Sequence, residues 1–425
     1  MNPHPTASEL PEFLHRFASI FVDAGYQCLL VGGSIRDAAL GRPVKDFDIA
    51  TDAHPETVRK LFRRTIPTGI QHGTVTVLFK GHSLEVTTFR AESDYSDGRH
   101  PDTVEFGVSL EADLSRRDFT VNAMALDLRT GDFVDPYGGL EDLRRGVVRT
   151  VGAPEQRFRE DGLRLLRAVR FSSTLGFRLD ARTFAGMKAT HTALEGVSAE
   201  RVRDELLKSL TAPSALLVLK TLEDALLRAH VFFLETDMPS DMYTVHARTV
   251  GVDLVAPEFP LVRLAAIIAL SGAPAPEEEG KRLASALKLS NNDRALILRL
   301  LSCGPVREEE LESDVSVRRH LSRFDSDRVR ELCMFSAALA DPQDNERARR
   351  LESRFQAVLA TNPPLKVSDL AIGGEDLKNT LRIGAGPEIG TLLRTLVQHV
   401  LVKPDDNTRE ALLKRADELR ARSRE

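Results

Sequence analysis

The chain has 425 residues, of which 42% are hydrophobic and 28% charged, and its formal net charge is −5 at pH 7. This composition is typical of a globular protein that is too long for one core, so two to four domains are expected. The negative net charge excludes a uniformly basic nucleic-acid-binding protein and leaves only a local basic region for RNA contact.

The first predicted elements are an amphipathic helix over about residues 8–24 and a buried strand over the apolar run 28–31. Gly32 and Gly33 follow at the turn from this strand into a second helix. Glycines at such a turn let backbone N–H groups approach a phosphate closely, and the helix dipole adds positive charge there. The turn is therefore a candidate phosphate-binding site.

Two aspartates, Asp46 and Asp48, follow this helix after a short spacer. Carboxylates at positions i and i+2 of a strand point to the same face, which is the geometry that holds a divalent cation between them. Arg36 in the intervening helix can reach phosphate oxygens, or it can form a salt bridge with Asp37 or Asp46. Phosphate-binding glycines beside paired carboxylates predict phosphoryl transfer from a nucleoside triphosphate.

Short β-like runs follow at residues 74–79 and 82–89. Alternation in the second run places Glu85 and Thr87 on the face opposite its apolar residues. Glu85 is then either a third carboxylate, acting as a base or a metal ligand, or an exposed residue of the strand.

Residues 121–126 are predicted as a helix that Asp118 or Thr120 caps. The order strand, helix, strand and meander indicates a small mixed α/β domain that ends near residue 150. Beyond Pro154, apolar residues recur almost wholly at helical spacing. Breaks rich in proline and glycine divide this helical part, at residues 211–213, 271–276 and 361–364.

Four motifs, in this order along the chain, resemble those of the tRNA nucleotidyltransferase and bacterial poly(A) polymerase family, within the DNA polymerase β superfamily. They are GGSIRD with DFD in residues 32–48, RRDFTVNA at 116–123, DPYGG at 135–139 and EDGLRLLR at 160–167. The match is specific over about the first 210 residues and loose beyond them. The resemblance implies an α+β fold in which a small mixed α/β nucleotidyltransferase head domain precedes an all-helical neck, body and tail. The expected bounds are 1–150 for the catalytic head, 151–212 for a neck that reads the nucleotide base, and 213–340 and 341–425 for a body and a tail that bind tRNA.

The predicted chemistry is a two-metal nucleotidyl transfer. Asp46 and Asp48 would hold two Mg²⁺ ions, one activating the RNA 3′-hydroxyl and the other holding the triphosphate. By resemblance, Arg117 contacts the bound nucleotide and Asn122 supports the site, whereas Arg116 is expected only to face solvent.

Residues 160–170 are predicted as one helix that reads the base, with Asp161 and Arg164 at i and i+3. An accepting carboxylate beside a donating guanidinium matches the edge that cytosine and adenine share, an amino group next to a ring nitrogen. Uracil and guanine present the reverse pattern. The alternative is a set of surface charge pairs. By resemblance, supporting roles fall to Glu160, which would orient Arg164, and to Arg167 and Arg170, which would support the base or the phosphates.

Three functions remain open. The first is the addition of CCA to the 3′ end of tRNA from CTP and ATP, the second is the addition of A alone or of poly(A), and the third is RNA binding without catalysis. The intact Asp46 and Asp48 disfavour the third. The polar stretch 94–101 resembles the family's flexible loop, whose retention favours an enzyme that reaches the A-adding step. The mixed charge of residues 403–425 favours a tRNA enzyme over a poly(A) polymerase.

The location of the protein follows from what the chain lacks. The N-terminus, MNPHPTASELPEF, has no basic start followed by an apolar core, so no secretory signal is expected. Cys28, Cys303 and Cys333 lie far apart without metal-ligand spacing, which indicates free thiols in a reducing compartment. We expect a cytoplasmic protein without membrane contact, and we make no prediction of its oligomeric state.

Overall fold

The structure is a computed structural model that describes residues 4–6, 9–44, 46–70, 73–93, 103–235, 241–244, 247–324, 326–341, 343–382 and 386–422. The chain divides into two compact units, one of residues 1–238 with 286–288 and the other of residues 239–285 with 289–425. The first unit holds all the predicted site residues. The finer division into head, neck, body and tail stays a prediction, and the stretch 94–101 lies outside the described residues.

All the strands of the described residues belong to the first unit. They are β1 (Leu29–Val31), β2 (Phe47–Thr51), β3 (Thr65–Gly69), β4 (Thr74–Phe79), β5 (His82–Thr88), β6 (Arg90–Ser93), β7 (Thr103–Phe106), β8 (Ala125–Asp127), β9 (Phe133–Val134), β10 (Val147–Val148) and β11 (Arg178–Leu179).

Helices of the first unit surround and follow the sheet. They are α1 (Glu12–Asp23), α2 (Gly32–Ala39), α3 (Pro55–Leu61), α4 (Leu110–Ser115), α5 (Gly139–Arg145), α6 (Pro154–Glu160), α7 (Leu163–Leu175), α8 (Ala181–Ala189), α9 (Ala199–Ser209), α10 (Ala215–Asp224) and α11 (Arg228–Val231).

The regular secondary structure in the described residues of the second unit is all helical. Its helices are α12 (Pro260–Leu270), α13 (Pro276–Ala286), α14 (Asn291–Cys303), α15 (Asp314–Arg323), α16 (Val329–Ala338), α17 (Arg347–Leu359), α18 (Gly374–Leu381), α19 (Pro387–Val402) and α20 (Arg409–Arg422). The predicted α+β fold class, a mixed α/β head followed by a helical remainder, is confirmed. In the described part of the chain, no helix is long and apolar enough to cross a membrane, and the three cysteines are free thiols.

The main sheet places the predicted strands next to one another. Within the described residues it has seven strands in the order β3-β4-β5-β2-β1-β8-β9. Strand β1 lies between β2 and β8 and is antiparallel to both, whereas β2 runs parallel to β5. A buried cluster that includes Leu29, Val31, Ala50 and Phe89 packs Leu114 of α4 against the sheet. The turn at Gly32 and Gly33, called the phosphate turn below, therefore starts from the middle of the sheet, beside the strand that carries Asp48.

The predicted helix at 121–126 is wrong. Thr120–Asn122 form a single 3₁₀ turn, and the chain then enters strand β8, which pairs with β1. Met124, directly before this strand, and Leu126 within it are fully buried. Periodicity cannot distinguish so short an apolar run in a buried strand from one turn of a helix.

The predicted helix at 160–170 is confirmed only from residue 163 onward, because two helices meet near its start. Helix α6 ends at Glu160 and α7 begins at Leu163, and Asp161 between them is extended, with φ −148° and ψ 107°. At Gly162 a Cβ atom would lie 2.1 Å from the carbonyl oxygen of Ala193. This close backbone approach belongs to tertiary packing, which helical periodicity along the chain does not reveal.

Candidate active site

The first glycine of the phosphate turn, Gly32, occupies tightly limited space. Val31 ends β1 and Gly32 begins α2 directly, with φ +65°. A Cβ atom on Gly32 would lie 3.1 Å from Nη1 of Arg117 and 3.2 Å from Oδ2 of Asp48. The backbone of Gly33 hydrogen-bonds the Asp48 carboxylate. Glycine is thus needed here both for the left-handed backbone and for the close approach of two charged groups.

The acidic residues meet on neighbouring strands. Asp48 of β2 is the register partner of Glu85 of β5 in their parallel pairing, and Asp46 precedes β2 and is exposed. Burial raises the pKa of Asp48, and the charges of Glu85 and Asp46 raise it further, whereas Arg117 and the Gly33 backbone oppose this rise. The pairing brings Glu85 to the predicted site, but its role as a base or ligand stays a prediction.

Ser34 is a site residue that sequence reasoning missed. Its side chain is 2% exposed, and its hydroxyl donates to the carbonyl oxygen of Asp46 at 2.9 Å and accepts from the N–H of Asp48 at 2.8 Å. The hydroxyl therefore joins the start of α2 to the backbone that carries both aspartates. The signal was present, because a serine directly follows the two glycines, but its partners lie 12 and 14 residues away.

Arg36 contacts both a neighbouring acid and a distant amide. It forms the salt bridge with Asp37, at 2.9 Å, and its Nη1 donates to Oδ1 of Asn122 at 2.8 Å. Asn122 in turn donates from Nδ2 to Oδ1 of Asp118 at 3.0 Å, and Oδ2 of Asp118 accepts from Arg167 at 2.6 Å. A chain of hydrogen bonds thus connects the phosphate turn with helix α7.

Asp118 is the buried carboxylate within this series of hydrogen bonds. Burial by itself would raise its pKa, but the charge of Arg167 and the hydrogen bond from Asn122 outweigh burial and lower the pKa to about 2. Oδ1 of Asp118, which accepts from Asn122, also accepts from the N–H of Phe119 at 2.8 Å. Asp118 does not cap a helix, and the Thr120 hydroxyl instead donates to Asp142 at 2.6 Å.

The predicted base-reading pair lies at the junction of α6 and α7. The N–H of Arg164 donates to the carbonyl oxygen of Asp161 at 3.0 Å, so the two residues share one turn. The Arg164 side chain is almost fully buried and donates to Glu160 at 2.6 Å and to the carbonyl oxygen of Arg116 at 3.0 Å. Arg201 of α9 donates to the Asp161 carboxylate at 2.8 Å. The contact between Glu160 and Arg164 that we expected is present, although the helix between them is broken.

Three of the predicted arginines lie around the aromatic ring of Phe171. The guanidinium carbons of Arg36, Arg167 and Arg170 lie 5.0, 5.3 and 4.1 Å from the ring centroid. These distances are typical of cation–π contacts. Arg170 also forms an ion pair with the nearly buried Glu205 of α9. Neither Phe171 nor Glu205 was predicted, because nothing in the local sequence indicates which distant side chains meet them.

Three family models match the chain in succession. The poly(A) polymerase head domain matches residues 28–149, a probable RNA- and SrmB-binding site of polymerase A matches 176–237, and a putative tRNA nucleotidyltransferase domain 2 matches 265–416. The CCA-adding enzyme of Enterococcus faecalis is 35% identical to the chain over 413 residues, which cover 94% of this chain and 93% of that relative. The chain belongs to the family of CCA-adding enzymes.

Two further members of the CCA-adding enzyme family extend this comparison. The Lactobacillus helveticus enzyme is 48% identical over 220 residues, and the chain spans about half of its length, 52%. The crystal structure of the Bacillus stearothermophilus CCA-adding enzyme in complex with CTP is 32% identical, with a TM-score of 0.78 over 97% of this chain and 98% of that chain. The predicted family is confirmed, and so is the fold.

Proposed function

We propose that the chain is a tRNA nucleotidyltransferase that adds C, C and A to the 3′ end of tRNA from CTP and ATP and releases pyrophosphate. The observation that carries the proposal is the meeting of Gly32, Asp48 and Arg117 at one point of the sheet. Phosphate-binding backbone, a carboxylate for a metal ion and a guanidinium for the nucleotide lie within contact distance there. The relatives named CCA-adding enzymes support the same conclusion.

The carboxylates fit a divalent cation, and we propose Mg²⁺ held by Asp46 and Asp48. The raised pKa of Asp48, caused by burial and by neighbouring negative charge, marks a place where a cation would relieve repulsion. A bound Mg²⁺ pair would lower the pKa of the RNA 3′-hydroxyl and neutralise charge on the leaving pyrophosphate. Within the described residues, the side chains do not form a preorganised group of three or more metal ligands.

The phosphates and the base are bound by different parts of the same unit. The start of α2 at Gly32 and Gly33 lies close to the triphosphate, and Arg36 and Arg117 neutralise its charge. At the other end, the carboxylate of Asp161 accepts from the amino group of C or A, and the guanidinium of Arg164 donates to the ring nitrogen. Uracil or guanine leaves two mispaired polar groups, at a cost of about 1–3 kcal/mol each. Glu160, Arg167 and Arg170 hold these groups in place.

The remaining parts of the proposal concern the surroundings of the site. We propose that residues 151–212 form the base-reading neck and that 213–340 and 341–425 contact tRNA. The family model of an RNA-binding site over residues 176–237 supports RNA contact near the junction of the first two of these segments. We propose the cytoplasm as the compartment, where tRNA and nucleoside triphosphates are available.

The proposal is tested with three tRNA substrates that end before CCA, after C and after CC. Each is incubated with labelled CTP or ATP and Mg²⁺, and the products are resolved at single-nucleotide length. We expect both nucleotides to be added to the shortest tRNA and none after CCA. Addition of A alone, to the tRNA ending in CC, would overturn CCA addition in favour of an A-adding enzyme.

Two variants check the assignment of roles in the same assay. Asp46→Ala removes a proposed metal ligand, and we expect loss of product with all three substrates. Asp161→Ala removes the acceptor for the exocyclic amino group, and we expect UTP and GTP to compete with CTP and ATP. Unchanged selection in D161A would contradict base reading by Asp161.

A further inference from the structure

Asp113 is a buried carboxylate that the proposed reaction does not yet use. It lies in helix α4, and its side chain is 1% exposed. Its Oδ1 accepts from Nε and Nη2 of Arg116, at 3.1 and 2.7 Å, and its Oδ2 accepts from Nη2 of Arg117 at 3.1 Å. One carboxylate therefore holds two consecutive arginines, one through each of its oxygens.

Asp113 is negatively charged in this setting. Burial would raise its pKa, but the charges of Arg116 and Arg117 and their hydrogen bonds outweigh burial and lower it. A buried carboxylate with two guanidinium partners is costly to remove, because each partner then keeps a charge without its counter-ion. The energy of this arrangement fixes the direction in which Arg117 points.

The far end of Arg117 reaches the proposed nucleotide site. Its Nη1 donates to the carbonyl oxygen of Asn122 at 3.3 Å and lies 3.1 Å from the position of a Cβ on Gly32. Its Nε is buried and has no hydrogen-bond partner among the described residues. Asp113 and the Asn122 carbonyl thus hold Arg117 at two nitrogens beside the phosphate turn, while a third nitrogen is still to be satisfied.

Arg116 anchors this arrangement to a neighbouring element. Besides its ion pair with Asp113, its Nε donates to the carbonyl oxygen of Arg90 at 3.1 Å, and the N–H of Arg90 donates to Asp113 at 3.4 Å. Arg90 begins β6, the first strand of the hairpin with β7. The expectation that Arg116 only faces solvent is wrong, since its side chain is 16% exposed and holds the hairpin base against α4.

We propose that Asp113 is a positioning residue for nucleotide binding, which holds Arg117 over the phosphate turn and uses Arg116 to brace α4 against the start of β6. This rests on the proposed function, in which Arg117 contacts the incoming nucleotide. Asp113 itself touches no substrate. Its loss should therefore weaken the binding of both CTP and ATP while leaving the affinity for tRNA unchanged.

The test compares Asp113→Asn with Glu111→Gln, which removes the same charge from an exposed position of the same helix. Steady-state kinetics are measured with CTP, ATP and tRNA. In D113N we expect KM for both nucleotides to rise about tenfold and KM for tRNA to change less than about twofold. E111Q should match the wild type. An unchanged nucleotide KM in D113N would overturn the proposal.

A double-mutant cycle separates positioning from general damage to the fold. Arg117→Lys removes the guanidinium fork, so adding D113N to R117K should raise the nucleotide KM much less than D113N does alone. Fully additive effects would show that Asp113 does not act through Arg117. Asp113→Glu keeps the charge and displaces the carboxylate by one methylene. It supplies the same measurement if D113N does not fold, with a smaller expected rise.

Failure of the proposal and failure of the proposed function are distinguishable. A wild-type chain that adds neither CMP nor AMP to any of the tRNA substrates would contradict the function. An active wild type with an unaltered D113N would contradict only the role of Asp113.

Discussion

At the scale of single residues, Gly32 carries two separate requirements. Its φ of +65° demands a residue that tolerates the left-handed region, and the space beside its Cα is bounded by Arg117 and Asp48. Gly41, at the end of α2, has the same φ of +65°, but a Cβ there would meet no heavy atom of the described residues within 4 Å. A comparison of Gly32 with Gly41 therefore separates the effect of backbone strain from the effect of a side chain that contacts Arg117 and Asp48.

Gly32→Ala and Gly41→Ala should differ in activity far more than in stability. Each substitution places alanine in the left-handed region and should lower the free energy of unfolding by about 1 kcal/mol. Only G32A displaces Arg117 and Asp48, so it should lower kcat/KM for CTP by about 100-fold. Chemical denaturation and initial rates measure the two effects. Equal losses of activity in both variants would contradict the steric account.

Some residues of the site could be predicted from the sequence, and others could not. The glycines and aspartates of the motif lie close together in the chain, so the sequence alone was enough to predict their chemistry. Ser34 and Asp113 were missed because their importance comes from what they bond. The partners of Ser34 lie beyond the helix that contains it, and those of Asp113 include the backbone of Arg90, 23 residues earlier.

At the scale of elements, the break between α6 and α7 sets the position of the two residues proposed to read the base. Asp161 is extended at the break, where its Oδ1 accepts from the N–H of Leu163 at 3.0 Å. Gly162 makes the break possible, since its Cα packs against the backbone of Ala193 in the 3₁₀ helix His191–Gly196.

Gly162→Ala should disturb this junction, and Gly196→Ala provides the control. A Cβ on Gly162 would lie 2.1 Å from a carbonyl oxygen, whereas one on Gly196 would have open space among the described residues. We expect G162A to lower the free energy of unfolding by about 2 kcal/mol and to raise KM for both nucleotides. G196A should change neither by much. Thermal unfolding and steady-state kinetics check both, and a wild-type KM in a folded G162A would contradict the role of the break.

Elements were predicted well where a local pattern was sufficient. Strands β4 and β5 and helix α1 lie where alternation or helical periodicity placed them. The run at 121–126 and the break at 161–162 could not be predicted in this way. The first becomes a strand because β1 is available to pair with it, and the second is imposed by a backbone 31 residues farther along.

At the scale of the whole molecule, the ion pair between the buried Asp118 and the partly exposed Arg167 joins the segment after α4 to helix α7 within the first unit. The pKa of Asp118 is about 2 in the folded chain, below its ordinary value of 3.8. A carboxylate whose folded pKa is depressed stabilises the fold fully above its unfolded pKa and loses that contribution as the pH falls toward the folded pKa. The pair should therefore make the first unit sensitive to acid.

Asp118→Asn should be less stable than the wild type at pH 6, and the difference should shrink as the pH falls. Between about pH 5 and pH 2 we expect the wild type to lose about 2 kcal/mol that D118N does not lose. Urea denaturation at several pH values measures both chains. Because the other acids titrate in both proteins, a difference that stays constant over this window would contradict the assignment.

Strand β1 passes directly into helix α2, so the geometry of the site depends on the exact number of residues at this turn. Val31 is the last residue of a strand held on both sides, and Gly32 is already the first residue of the helix. One residue inserted at this point would turn everything after it by about 100° around the helix axis. The Ser34 hydroxyl would then leave the strand that it holds. Homologues and engineered variants should accept changes of residue type in this segment more readily than any insertion or deletion.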